Sequence, residues 1–269
     1  YVRVGIVIPT YNEGKNIGET LRMVLKQETT ITSESGETIE LAPRVVIIDS
    51  GSIDDTLDIA MTFKMEYPKI IDVYQTKGFH HSITRNFGAK LVGGDIFVFL
   101  NADAKPYDKK WLKNLVNPLL RQASASFSRQ IPPPGLVSID AILVETGFPP
   151  MSARITKKNY LKFFRKYGVL FSTVSCAVKS DVFRSIGGFN KYVPINEDQE
   201  FAIRLLKNNH TIAYSAESIV IHAHEMTLSD AFRRYFNMAR GWKIVNRIHK
   251  DFEIGYSVEP VSYTHLRAH

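Results

Sequence analysis

Short polar motifs stand directly after apolar runs along the first hundred residues, and this arrangement constrains the fold most. The apolar run 4–9 leads into Pro9-Thr10-Tyr11-Asn12-Glu13, 45–48 into Asp49-Ser50-Gly51-Ser52, and 96–100 into Asn101-Ala102-Asp103. Continuously apolar strands are buried on both faces, as in parallel sheets covered by helices. Ligands of such sheets bind where the carboxyl ends of the strands meet. The sequence therefore predicts an α/β fold with a polar crevice along one sheet edge.

The segments between these runs show helical patterns. Apolar residues recur at helical spacing over 17–25. Ser52 followed by Asp55 predicts a capping box at the start of the next helix. Residues 28–44 are polar and predict a surface loop. Strands that alternate with helices imply a parallel sheet with right-handed crossovers.

The second half of the chain is less regular in pattern. Pro132-Pro133-Pro134-Gly135 cannot be helix or central strand. Thr227 and Asp230 predict a second capping box, for a helix that runs to about residue 250. We expect an apolar stripe on that helix to pack on the domain's own core, with attachment to a membrane interface as the alternative. The stripe consists of Leu228, Phe232, Tyr235, Ala239, Trp242 and Val245.

Charge is unevenly distributed in a chain with net charge +7. Residues 154–184 hold eight Lys or Arg against one acid, and residues 226–250 hold six against one. Such a face suits an anionic acceptor or a lipid surface. Nucleic-acid binding is not expected, because the basic stretches lack a recognisable binding module. The single cysteine, Cys176, excludes an intramolecular disulfide and fits a reducing compartment.

Several classes of protein lose support from what the sequence lacks. There is no G-x-G-x-x-G after the first strand, no G-x-x-x-x-G-K-[ST], and no Cys/His cluster with zinc spacing. Rossmann dehydrogenases and P-loop NTPases are therefore disfavoured. No signal peptide opens the sequence, and no apolar run approaches the ~18 residues of a transmembrane helix. We expect a soluble protein, or one that is peripheral to a membrane.

The candidate site residues lie at the predicted strand ends and at a predicted helix start. Asp103 at a strand end suits a hard divalent cation, with a turn-forming role as the alternative. His222 and His224 alternate on one face of a short strand, and this spacing favours a ligand over a lone structural histidine. Asp198 beside Glu197 at a helix start is well placed as a general base, although carboxylates there also complement the helix dipole.

Together the motifs resemble the family 2 glycosyltransferases of GT-A fold, over roughly residues 2–250, and are most similar to their bacterial rhamnosyltransferase-like branch. The motifs that carry this resemblance, beyond the three strand-end motifs above, are Thr84-Arg85-Asn86-x-Gly88-Ala89, Gly187-Gly188-Phe189, Glu197-Asp198-Gln199-Glu200 and His222-x-His224. The resemblance implies a mostly parallel central sheet flanked by helices, an irregular acceptor-side half and an amphipathic C-terminal helix. Within one continuous domain, 1–130 is the nucleotide-sugar half and 131–255 the acceptor-side half. Residues 261–269 fit none of this and are interpreted as a non-native or disordered tail.

The resemblance also implies roles for individual residues. Asp198 is the catalytic base, supported by Glu197 and Gln199. The metal, Mg²⁺ or Mn²⁺, binds Asp103 and His224. The nucleotide or donor contacts are Pro9, Thr10, Tyr11, Glu13, Asp49 on the pyrimidine, Arg85 and Asn101.

The implied activity is inverting transfer of a sugar, expected to be rhamnose from dTDP-L-rhamnose or a sugar from a UDP-sugar, to a hydroxyl of a glycan or lipid-linked acceptor. This is an activity of cell-envelope polysaccharide biosynthesis, expected in the cytoplasm, with peripheral contact at the inner face of the membrane and a homodimer left open. Asn101 departs from the acid of many relatives, and the Gln-x-x-Arg-Trp of processive synthases is missing, which favours a non-processive enzyme. Alternatives are a nucleotide-sugar-binding subunit that has lost catalysis, favoured by Asn101, and a sugar-nucleotidyltransferase.

Overall fold

One mixed β-sheet forms the centre of the protein, in a computed structural model that describes residues 1–32 and 36–253. Nine strand pairings join ten strands, four of them parallel and five antiparallel. The strands are β1 (Val2–Thr10), β2 (Thr30–Thr32), β3 (Thr38–Asp49), β4 (Ile71–Gln75), β5 (Ile96–Leu100), β6 (Lys105–Pro106), β7 (Ala125–Ile131), β8 (Ala153–Ile155), β9 (Ser175–Lys179) and β10 (Ile212–Ile221).

The parallel arrangement predicted from the first hundred residues is confirmed. β1 pairs in parallel with β3 and β5, and β4 extends the sheet beyond β3. The register places Thr10 opposite Asp49, so the polar motifs after β1 and β3 lie side by side. Antiparallel pairs enter with the second half, where β9 lies between β5 and β7. The sheet therefore runs without interruption through both halves of the chain.

Helices cover both faces of the sheet, and alternate residues of β1 point into two separate apolar clusters. Gly88 lets one helix lie directly on β1, because a Cβ at this position would be 2.3 Å from Cγ1 of Val7. The helices are α1 (Ile17–Leu25), α2 (Thr56–Glu66), α3 (His81–Val92), α4 (Trp111–Arg121), α5 (Ile139–Gly147), α6 (Tyr160–Tyr167), α7 (Ser180–Ser185), α8 (Glu197–Lys207) and α9 (Leu228–Ile248).

Two local predictions for the first half are wrong. Residues 28–44 are not simply a surface loop, because β2 pairs with the start of β3 in an antiparallel hairpin. Ser52 and Asp55 do not form a capping box, since Asp55 makes no side-chain cap hydrogen bond and the Ser52 hydroxyl donates to Asp49 instead. The strand-end turn thus uses the hydroxyl that the pattern assigned to the helix.

The second half is more regular than its sequence pattern indicates, since α5, β8 and α6 follow the proline run. The predicted capping box of Thr227 and Asp230 is present at the start of α9. The predicted packing of the α9 stripe on the core holds only for its C-terminal part, Trp242 and Val245. Leu228 and Phe232 are 78% and 74% exposed.

None of the helices in the described ranges has the length and apolar character needed to cross a bilayer. The division of the domain at residue 130 stays a prediction. The predicted tail 261–269 lies outside the described residues.

Candidate active site

The loops after β1 and β3 are joined by hydrogen bonds that involve side chains of both motifs. The backbone N–H of Asn12 donates to the Ser52 hydroxyl at 2.9 Å, and the N–H of Ile53 donates to Oδ1 of Asn12 at 2.9 Å. Asn12 adopts a left-handed conformation with φ of 54°, which asparagine tolerates better than most residues. These two hydrogen bonds fix the turn that carries Tyr11 and Glu13 at the sheet edge.

Three side chains converge beyond the ends of β5 and β10. Oδ2 of Asp103 lies 3.7 Å from Nε2 of His222 and 3.8 Å from Nε2 of His224. The ligand atoms of the three all lie within 4.8 Å of one another. Ligands around one ion, each bonded at about 2 Å, are separated by roughly 3–4 Å. These three side chains therefore have the donor chemistry and nearly the spacing of a divalent metal site. We call Asp103, His222 and His224 the metal-type group.

His222 is an addition to the predicted ligand set, and its surroundings fix its protonation. Nδ1 lies 2.9 Å from Oε1 of Gln130, and Nε2 of that amide donates to the Ser172 hydroxyl at 2.9 Å. Because Oε1 is an acceptor, Nδ1 carries the proton and Nε2 is left with its lone pair toward Asp103. Burial lowers the pKa of His222, which keeps the ring neutral at neutral pH. The spacing of the two histidines was the sequence signal for this ligand.

Arg85 is buried rather than presented as a surface cation. Its Nη1 donates to Oε1 of Glu197 at 3.0 Å, and its Nη2 donates to Oδ1 of Asn101 at 2.8 Å. The Arg85 side chain is 2% exposed and that of Glu197 is also buried. Burial, followed by the charge of Arg85, lowers the pKa of the neighbouring His81 to about 4. Asn101 thus binds Arg85 and is not part of the group formed by Asp103, His222 and His224.

Asp198 is the second residue of α8 and follows Glu197 of this ion pair. Burial raises the pKa of Asp198 to about 7, and the charge of Glu197 adds to the shift. The side chain is half-buried and lines the site, so it is accessible to a bound molecule. A carboxyl group with a pKa near neutrality is well matched to accept a proton at physiological pH.

Asp198 lies where two cavities meet. The first, of about 460 Å³, is lined by the metal-type group and by residues of the first-strand motif, and we call it the cleft. The second, of about 1090 Å³, lies between α5, the end of α6 and α9, and we call it the helical cavity. Asp198 and His222 line both. A group in the helical cavity can therefore meet a group in the cleft at Asp198.

The structure brings most of the predicted residues to the cleft wall. Those that line it are Pro9, Tyr11, Glu13, Arg85, Asn101, Asp103, Glu197, Asp198 and His224.

Three predicted residues are placed elsewhere. Thr10 is buried in the strand. Asp49 is fully buried, and its carboxylate accepts hydrogen bonds from the backbone of Gly51 and Ser52, so its contact with a base stays a prediction. Gln199 binds the segment before β9. Its Oε1 accepts a hydrogen bond from the backbone N–H of Leu170, and its Nε2 donates to the carbonyl oxygen of Phe171.

The sequence profile of glycosyl transferase family 2 matches residues 5–184. The O-antigen chain rhamnosyltransferase RfbN of Salmonella typhimurium is 29% identical over 241 residues, which are 88% of this chain and 71% of that protein. WbaN of Salmonella anatum, another O-antigen chain rhamnosyltransferase, is 30% identical over 236 residues, 86% of this chain and 70% of that protein.

Solved structures show the same fold. The mannosyltransferase PcManGT from Pyrobaculum calidifontis, in complex with GDP-Man and Mn²⁺, superposes with a TM-score of 0.68 at 19% identity, covering 94% of this chain and 65% of that one. S. aureus TarS 1-349 in complex with UDP-GlcNAc gives a TM-score of 0.65 at 18% identity, covering 94% of this chain and 68% of that one. The predicted GT-A fold is confirmed, and the chain belongs to glycosyl transferase family 2.

Proposed function

We propose that the chain is an inverting glycosyltransferase that moves a sugar from a nucleotide-sugar in the cleft to a hydroxyl of an acceptor in the helical cavity. The observation that carries this proposal is the position of Asp198, a carboxyl group of raised pKa where the two cavities meet. Membership of glycosyl transferase family 2 and the likeness to O-antigen rhamnosyltransferases support the same reaction.

Asp198 acts as the general base in this proposal. Its carboxylate removes the proton of the acceptor hydroxyl as that oxygen attacks the anomeric carbon from the side opposite the leaving diphosphate. One displacement of this kind inverts the configuration at the anomeric carbon. The buried pair of Arg85 and Glu197 holds the start of α8, and with it Asp198, against α3. Glu197 also contributes charge that raises the affinity of Asp198 for a proton.

We assign Asp103, His222 and His224 as the residues that hold a divalent metal ion. When bound there, such an ion offsets the negative charge that develops on the departing diphosphate. Mg²⁺ prefers oxygen ligands, whereas two neutral imidazoles suit a softer ion. We therefore propose that Mn²⁺ supports the reaction better than Mg²⁺, and the Mn²⁺ in the PcManGT structure agrees with this choice.

The donor and the setting are further parts of the proposal. The rhamnosyltransferase relatives favour dTDP-L-rhamnose as donor, with a UDP-sugar as the alternative, and a glycan or lipid-linked acceptor. Residues 1–130 supply most of the donor contacts and 131–255 the acceptor side. Arg240 and Lys243, exposed on the same helix as the exposed Phe232, support peripheral contact between α9 and a membrane, at its cytoplasmic face. A homodimer stays a prediction.

The alternative of a subunit that has lost catalysis was favoured by Asn101 alone. The structure gives that residue a different task, since Asn101 binds Arg85 while Asp103, His222 and His224 form the metal-type group without it. No other observation favours loss of catalysis.

A transfer assay tests the proposed function. The purified chain is incubated with dTDP-L-rhamnose, UDP-glucose or GDP-mannose and with saccharide acceptors, in Mn²⁺, Mg²⁺ or EDTA, and the release of nucleoside diphosphate is followed. We expect metal-dependent release, highest with dTDP-L-rhamnose and Mn²⁺, and its loss in Asp103→Ala. Binding of a nucleotide-sugar without release under any condition would support a binding subunit instead.

A further inference from the structure

A donor diphosphate in the cleft would be recognised by a cationic side chain that still has N–H donors accessible from the cleft. Arg85, the predicted candidate, has both terminal nitrogens engaged by Glu197 and Asn101 and is almost fully buried. A guanidinium held in this way positions α8, and its Nε–H, although without a hydrogen-bond partner, is buried away from the cleft surface, so it offers little to phosphate oxygens. The lysine and arginine residues of the described chain that line the cleft are Arg85 and Arg234.

Arg234 is more exposed than Arg85 and is held by fewer contacts. It lies in the second turn of α9, lines both the cleft and the helical cavity, and its side chain is 37% exposed. Its Nη1 lies 3.4 Å from Oδ1 of Asp140 and 3.9 Å from the sulfur of Met226. A guanidinium has five N–H donors, so most of its hydrogen-bonding capacity remains available toward the cleft.

Asp140 contacts both Arg234 and the backbone of His224, a residue of the metal-type group. The backbone N–H of His224 donates to Oδ2 of Asp140 at 2.8 Å, while Oδ1 of the same carboxylate faces Arg234. Ser138, the N-cap of α5, donates to the carbonyl oxygen of His224 at 3.0 Å. The start of α5 therefore holds the backbone of one ligand residue and the guanidinium in a fixed relation.

We propose that Arg234 binds the diphosphate of the donor and stabilises the charge that develops on it as the glycosidic bond breaks. The planar guanidinium fork matches phosphate oxygens in a bidentate manner, which an ammonium group does not. A preorganised donor aimed at developing charge stabilises the transition state more than the ground state. The inference rests on the proposed function, because it requires a nucleoside diphosphate in the cleft.

The neighbouring residue provides a matched control. Arg233 is exposed and lines neither the cleft nor the helical cavity, so Arg233→Met removes the same charge from the same turn of α9. Comparison with Arg234→Met separates a direct contact from a general change in the charge of the helix. Arg234→Lys keeps the charge but loses the fork.

The test is calorimetric titration with UDP, dTDP and GDP and with the nucleosides uridine, thymidine and guanosine, all with Mn²⁺. We expect Arg234→Met to weaken diphosphate binding at least tenfold, with nucleoside binding unchanged within twofold, and to lower turnover by ~10²–10³-fold. We expect Arg234→Lys to lie between Arg234→Met and wild type, and Arg233→Met to match wild type.

Two outcomes overturn the inference in different ways. If wild type binds a nucleoside diphosphate and Arg234→Met binds it equally well, or loses nucleoside affinity to the same extent, Arg234 does not contact the diphosphate. If wild type binds none of the three diphosphates, the proposed function fails and the inference fails with it. Circular dichroism and thermal melting of each variant establish that the fold is retained, and Arg234→Lys carries the test if Arg234→Met does not fold.

Discussion

The cleft and the helical cavity meet at Asp198 but are built from different parts of the fold. The cleft is lined by polar side chains that follow strands, and its buried charges are paired with one another, as in Arg85 with Glu197. The helical cavity lies between α5, the end of α6 and α9, with apolar side chains such as Leu143 and Phe148 on its wall. The strand-end motifs of the cleft are therefore fixed by the sheet, whereas the acceptor surface is formed by helices, of which α5 and α9 also reach the cleft through Asp140 and Arg234.

The largest effect is expected from the buried charge network of the cleft. Arg85→Met leaves the Glu197 carboxylate buried without its partner, and we expect a loss of about 3–5 kcal/mol in the free energy of unfolding by urea. The control is Arg44→Met, which removes an ion pair with Asp72 at the surface and should cost no more than about 1 kcal/mol. Equal losses in the two variants would show that the cleft does not depend on this network.

A substitution of Gln130 tests whether a residue of the helical cavity affects metal binding in the cleft. Gln130 lines the helical cavity and orients His222, a residue of the metal-type group. Gln130→Leu removes the acceptor of the Nδ1 proton, and we expect Mn²⁺ affinity to fall about 10–100-fold, as for other residues that orient metal ligands. Electron paramagnetic resonance of free Mn²⁺ measures this. Asn246→Leu, in the same cavity, should leave the affinity unchanged. An unaltered affinity in Gln130→Leu would contradict a metal site at His222.

The pH dependence of the rate reports on the point where the cavities meet. Because burial raises the pKa of Asp198 to about 7, the carboxyl group is protonated and unable to act as a base below that pH. We expect kcat/KM to fall about tenfold per pH unit on the acid side of pH 7. The measurement is a pH profile of transfer at saturating Mn²⁺. A profile that is flat between pH 5 and pH 8 would contradict the assignment of this base.

The smallest effect is expected from the contact between α9 and the loop before α8. A Cβ on Gly241 would lie 2.5 Å from Cγ2 of Ile195 and 2.7 Å from its carbonyl oxygen. Gly241→Ala should therefore destabilise the protein by about 1–3 kcal/mol through overpacking, although alanine is the better helix former. Urea unfolding of this variant and of the control Arg240→Ala, at an exposed position of α9, measures the difference. A more stable Gly241→Ala would show that the helix is not closely packed there.

Much of the cleft could be predicted from sequence because its residues sit at strand ends. The register of β1 against β3 and the convergence of Asp103 with His224 follow from a pattern of buried strands ending in polar residues. The partners of these residues could not be predicted in this way. Asn101 binds Arg85, and Ser52 binds Asp49 rather than capping α2, because both choices depend on contacts that only the folded chain creates.

Little of the helical cavity could be predicted from the sequence. The stripe on α9 has the periodicity of a buried face, but only Trp242 and Val245 of its C-terminal part are packed, while Leu228 and Phe232 are exposed. Periodicity predicts that a helix has an apolar side and does not say how far along that side the core extends. The start of α5, which holds His224 through Ser138 and Asp140, carried no motif.

The most direct test of the central claim is the turnover of Asp198→Asn measured together with its donor affinity. The account predicts that turnover falls ~10²–10⁴-fold while the affinity for the nucleotide-sugar stays within a few-fold of wild type, because the amide keeps the shape of the site but cannot accept the proton. Turnover near the wild-type rate, in a variant that folds and binds donor normally, would contradict the claim that the acceptor is activated where the two cavities meet.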